Sequence, residues 1–238
     1  MVSAVPLPRR PLALARALDT GDTTSGLTGA AAGDVPSDVL GHVSSEVRRW
    51  YENELGWATV PGPVSAGLSP RLVTGLLFDV LDVPAEAGFA ALRHRGQTRA
   101  PRSPVALSGD RMLLLVAAGS ADELPGLLDW LEWGRLTPDL RAIGAGGDIE
   151  APLPPGRPGQ PGPPVAAGDF PGRTNPQGAA LWLRPPETGR GTEIPLPTMS
   201  ALGGVGGAPD LVRLVDTLAT QCHRIRLRRA CAQPLAFS

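Results

Sequence analysis

Apolar positions along the chain change period several times, and each change marks an element. From Ser37 onward Val39, Leu40, Val43, Val47, Trp50, Tyr51 and Leu55 recur on one helical face, with Arg48, Arg49, Glu52 and Glu54 largely off it. Pro36-Ser37 is a start signal and Gly56 a stop. Trp57 to Val60 then reads as a short strand closed by Pro61-Gly62-Pro63. After the turn at Thr74-Gly75, Leu76 to Val83 is apolar except for Asp79 and Asp82, which suits a buried strand. Pro84 ends it, and the residues from Ala85 to Leu92 open a helix. Val105–Leu107 and Met112–Ala117 form a hairpin around Ser108-Gly109-Asp110-Arg111. Its second arm is apolar on both faces and therefore central in a sheet.

Ser120 to Glu123 has the spacing of a capping box ahead of a helix with Leu124, Leu127, Leu128 and Leu131 inward and Gly134 as its end. Gly144, Gly146 and Gly147 predict a tight turn between two short extended pieces, and the spacing is wrong for a dinucleotide-binding loop. Strand pattern returns at Ala179 to Leu183. Pro209 starts a last helix with Leu211, Val212, Val215, Leu218, Cys222 and Ile225 at helical spacing.

Composition divides the chain further. With 30 Gly and 27 Pro, long stretches lack the periodicity of a packed element. Residues 1–35 read as a disordered N-terminal arm, 36–185 as the main domain, and 153–178 as a flexible, Pro/Gly-rich insertion within it. A linker at 186–207 leads to a basic C-terminal helix at 208–230. All 22 basic residues are arginine, which excludes Schiff-base and phosphate-loop lysine chemistry. A net charge of -1 announces neither nucleic acid nor membrane. The two cysteines, Cys222 and Cys231, have neither zinc nor disulfide spacing, and no secretory leader or spanning segment is evident, so the expected setting is cytoplasmic, with no membrane partner. Arg93 to Arg102 is basic but has no interleaved aromatic residue, which favours a solvated loop over a base-stacking surface. The arginines that end the last helix, Arg224, Arg226, Arg228 and Arg229, either complement its dipole or grip an acidic partner.

Candidate chemistry centres on Asp82, a carboxylate at the end of a buried strand just before a helix. Such a residue binds metal, caps the helix or is simply solvated. The surrounding pieces (VRRWYENELGWATVPGP, TGLLFDVLDVPAEAGFAAL, LSGDRMLLLV and PDLRAIGAGGDIEAPLPP, in that order) resemble the N-terminal domain of bifunctional DNA primase/polymerases. That prim-pol family belongs to the archaeo-eukaryotic primase superfamily. The resemblance implies an α+β fold whose mostly antiparallel, recognition-motif-like sheet carries packed helices. It also implies a site with two acids two residues apart on one strand, a third acid, and a histidine on a neighbouring strand, holding Mg²⁺ or Mn²⁺ against nucleotide phosphates. Asp82 matches the first acid and Asp139 the third, so both are candidate metal ligands and catalytic residues. Ser108, Gly109, Arg111 and Arg141 match nucleotide- or phosphate-binding positions.

The chain departs from that pattern at two points: the second acid falls on Pro84 and the histidine on Met112. Asp79 does not substitute, since residues three apart in a strand face opposite sides; Glu86 would have to swing in from the helix. The resemblance therefore implies a primase-polymerase-like domain that has lost nucleotidyl transfer. It would serve as a regulatory module binding a nucleotide, a nucleic acid, or a protein engaged through the C-terminal helix or the Pro-rich insertion. The alternatives are an active primase/polymerase with an altered metal site, and a protein-interaction scaffold.

Overall fold

The computed structural model describes residues 37–62, 69–95, 103–156, 179–187, 196–199 and 210–231, all within one unit that starts at Val35. The expected arm at 1–35 and the body of the insertion, 157–178, lie outside the described residues.

The chain forms α1 (Ser37–Trp50), β1 (Thr59–Val60), β2 (Arg71–Val73), β3 (Phe78–Pro84), α2 (Ala85–Arg95), β4 (Val105–Ser108) and β5 (Arg111–Ala117). Then come α3 (Ser120–Trp130), β6 (Arg141–Ile143), β7 (Asp148–Glu150), β8 (Leu181–Arg184) and α4 (Leu211–Cys231). The fold is α+β. Five strands make an antiparallel sheet in the order β6-β3-β5-β4-β8, and three make a smaller one in the order β1-β2-β7.

Side-chain alternation explains why β3 and β5 are apolar on both faces. Leu81 and Val83 of β3, with Met112, Leu114 and Val116 of β5, face a core shared with α2, α3 and α4. Phe78 and Val80, with Leu113 and Leu115, face a second core. That one is closed by Val47, Tyr51 and Trp57 and by Leu72 and Ile149 of the small sheet. The stripe read on the last helix is buried: Leu211, Val215, Leu218 and Cys222 are all under 5% exposed. So α4 belongs to the first core, and its predicted arginines all stay exposed.

Helix α1 runs on through a π-helical turn, Tyr51–Leu55, and stops at Gly56, whose φ of 68° suits a residue without a Cβ. Tyr51 is fully buried; its hydroxyl donates to the Pro152 carbonyl at 2.7 Å and accepts from Trp182 Nε1–H at 2.9 Å.

Three expectations need correction. The strand starts at Phe78, two residues later than its apolar run, because Gly75 turns the chain with φ 84° and donates to the Phe78 carbonyl. Leu76 and Leu77 are left 65% and 55% exposed in that bend. Ser120 is no N-cap; Gly119 holds that position, and no side chain of the local sequence caps α3. The cap comes from the sheet, where Asp79 Oδ2 accepts the Ala121 N–H at 2.8 Å. Helix α3 also ends before Gly134: Glu132 turns left-handed at φ 64°, with N–H bonds from Glu132 to Asp129 and from Trp133 to Leu128.

Candidate functional site

Asp82 lies near the end of β3, level with Leu113 of β5 on one side and Arg141 of β6 on the other. Alternation sets it on the face of Phe78 and Val80, whereas Asp79 points to α3. Asp79 is buried, and its Oδ1 has no hydrogen-bond partner among the described residues. Pro84 shares the Asp82 face and pairs with Arg111 as the last rung of the β3–β5 ladder. Next to it the Ala85 N–H donates to the Asp110 carbonyl at 2.7 Å.

The β4–β5 hairpin delivers Arg111. Gly109, the first of its two turn residues, has φ 57°, a conformation that suits a tight two-residue connection. Ser108 pairs with Arg111 across this turn and is half-buried; Gly109 itself is exposed. From β5 the Arg111 side chain crosses to β3 and beyond. Its Nε donates to Asp82 Oδ1 at 2.7 Å and its Nη2 to the Asp82 carbonyl at 3.2 Å. Its Nη1 donates to both carboxylate oxygens of Asp139, at 3.0 and 2.9 Å. Burial opposes the charge on Arg111, but the hydrogen bonds it donates to Asp139 and Asp82, with their negative charges, outweigh it and hold its pKa above the ordinary guanidinium value.

Asp139 comes from the loop between α3 and β6, and α4 holds that loop. The Cys222 thiol donates to the Asp139 carbonyl at 3.3 Å, and Arg226 Nη1 to the Leu136 carbonyl at 2.9 Å. Burial, reinforced by the Asp139 charge, pushes the Cys222 thiol up to about 12. The side chains of Asp82 and Arg111 are 15% and 22% exposed, and that of Asp139 is 50% exposed.

The structure thus brings Asp82, Asp139 and Arg111 together, with Arg141 beside Asp82 on β6, exposed and without an ion pair among the described residues. Glu86 is elsewhere, engaged by Arg228 at 2.7 Å and by Arg229 at 3.5 Å. Met112 faces the opposite core, packed so closely on Gly88 that a Cβ there would lie 2.2 Å from its sulfur.

Comparison with family models, with curated proteins and with solved structures returned no match. The chemistry must therefore be judged from the donors themselves. Mg²⁺ and Mn²⁺ take about six oxygens, for Mg²⁺ at about 2.0–2.1 Å. Here the facing carboxylate oxygens are turned to guanidinium nitrogens, and no group of three metal-binding side chains occurs among the described residues. With Arg111 in place, the residues present do not fit a divalent ion. Arg111, a phosphate-binding position by the resemblance, is here hydrogen-bonded to the two carboxylates, a pairing that no local spacing signals.

Proposed function

We propose that this chain is a primase-polymerase-like domain that has lost nucleotidyl transfer and acts as a binding or regulatory module. Support for the family likeness is topological. From β3 to β6 the chain runs strand, helix, strand, strand, helix, strand, and the sheet order β6-β3-β5-β4 is compatible with the split βαβ arrangement expected of a recognition-motif-like core. The four stretches that resemble the prim-pol family fall on or beside this core.

The observation that carries the loss of chemistry is Arg111, whose guanidinium is hydrogen-bonded to both candidate acids. Two-metal nucleotidyl transfer needs carboxylates free to hold ions against the phosphates of the incoming nucleotide. In this chain the position two residues after Asp82 on that face is Pro84, which offers no ligand. What remains is suited to binding: exposed Arg141 on the sheet edge, exposed Arg226 on α4 bonded to the Leu136 carbonyl, and exposed Arg224 on the same helix. An anionic partner, a nucleotide or single-stranded nucleic acid, is the one these residues favour.

The test is a primer-synthesis and primer-extension assay with Mg²⁺ or Mn²⁺, run beside oligonucleotide binding by fluorescence anisotropy at rising salt. The expected result is no incorporation together with salt-sensitive binding that Arg141→Glu and Arg224→Glu weaken. Incorporation by pure protein, abolished by Asp82→Ala, overturns the proposal.

A further inference from the structure

The carboxylates of Asp82 and Asp139 need a positive charge between them, and the chain supplies one. We propose that Arg111 is the resident cation of this position, neutralising the pair as a divalent ion would and so making the site metal-independent.

The geometry fits a guanidinium better than a point charge. One edge of the group, Nε and Nη2, meets the Asp82 carboxylate and carbonyl, while Nη1 meets both oxygens of Asp139. Each nitrogen of the fork is used, which an ammonium could not reproduce. The side chains of Arg111 and Asp82 are mostly shielded, so without the guanidinium the Asp82 carboxylate would be poorly hydrated and repelled by the half-exposed Asp139. Pro84 is part of the arrangement. It lies on the Asp82 face directly across the ladder from Arg111, and a longer or acidic side chain there would stand where the guanidinium passes. Asp139 is in turn held from behind by the bonds of Cys222 and Arg226 to its loop. The result is a charge-assisted clasp joining β5, β3 and the loop before β6. A guanidinium stays charged at any pH the fold meets, so the clasp depends on neither metal supply nor chelators.

This inference explains the missing chemistry under the function proposed above but stands on contacts that do not require it. Mn²⁺ binding and nucleotide incorporation are separate measurements, so each reading fails on its own. The experiment compares wild type, Arg111→Ala, Arg111→Ala with Asp139→Asn, and Arg111→Lys, reading Mn²⁺ uptake by loss of its free paramagnetic signal and Tm by scanning. Wild type should take up no Mn²⁺ here, and its Tm should ignore Mn²⁺ and chelator. Arg111→Ala should melt about 5–10 °C lower. It should bind one Mn²⁺ and recover part of that loss with millimolar Mn²⁺ or with guanidinium ion, whereas adding Asp139→Asn should abolish both effects. Arg111→Lys should fold and bind no Mn²⁺. Two results overturn the inference: wild-type Mn²⁺ binding that Asp82→Asn weakens tenfold, or a folded Arg111→Ala that neither ion stabilises. Should Arg111→Ala not fold, Mn²⁺ uptake by Arg111→Lys overturns it as well.

Discussion

Asp79 and Asp82 show how three positions along one strand separate two carboxylates by environment. Asp82 meets a guanidinium, and Asp79 caps a helix across the sheet. Asp79→Ala should lower stability by about 0.5–2 kcal/mol, the range for losing a helix cap, as measured by urea unfolding. Glu132 carries the opposite kind of effect, because its left-handed φ of 64° strains a residue with a Cβ. Glu132→Gly should therefore raise stability by up to about 1 kcal/mol. Cys222 sets an alkaline limit. A folded-state pKa pushed up to about 12 from a reference of 9.0 means the native state keeps its proton longer than the unfolded chain. Its contribution is complete below pH 9 and is lost as pH rises toward 12. Buried Tyr51, also raised, adds to the same limb at higher pH. Stability measured across this range should fall with pH, and Cys222→Val should flatten the first part of that fall. Cys231 is exposed, so thiol reagents should modify it in the native protein and reach Cys222 only on unfolding.

At the scale of elements, α4 is integral to the fold. It lays six buried apolar residues on the first core and clasps the Asp139 loop with two further bonds. Ending the chain before Asp210 should abolish the cooperative melting transition; a truncated chain that melts as the full one does would show that α4 is an accessory. The helical stripe made this element readable from spacing alone, as it did α1, and nearly continuous apolar runs marked β3 and β5 as buried. Boundaries were less readable wherever a distant group set them. Ser120 looked like a cap because its spacing to Glu123 was right, yet the carboxylate that reaches the helix N-terminus comes from 42 residues earlier. Leu76 and Leu77 looked like strand because they are apolar, but the turn at Gly75 leaves both outside the ladder.

For the whole molecule, what spacing could not reveal is which distant segments meet. The small sheet joins β2 to β7, and β8 returns to β4 across the insertion. No periodicity reports such pairings. The same holds at the site: Asp82 and Arg111 are 29 positions apart, and only the β3–β5 ladder makes them neighbours. The two faces of the large sheet also differ in their aromatic content, and this gives them separate optical signatures. Tyr51 is the only tyrosine; it stacks on Trp57 at 5.9 Å and hydrogen-bonds Trp182, while Trp133 contacts His223 on the helical side. Excitation of the phenol should therefore drain into indole emission while the second core is intact. The Trp133–His223 contact reports instead on the docking of α4 beside the end of α3, so a single cuvette can time the assembly of each half.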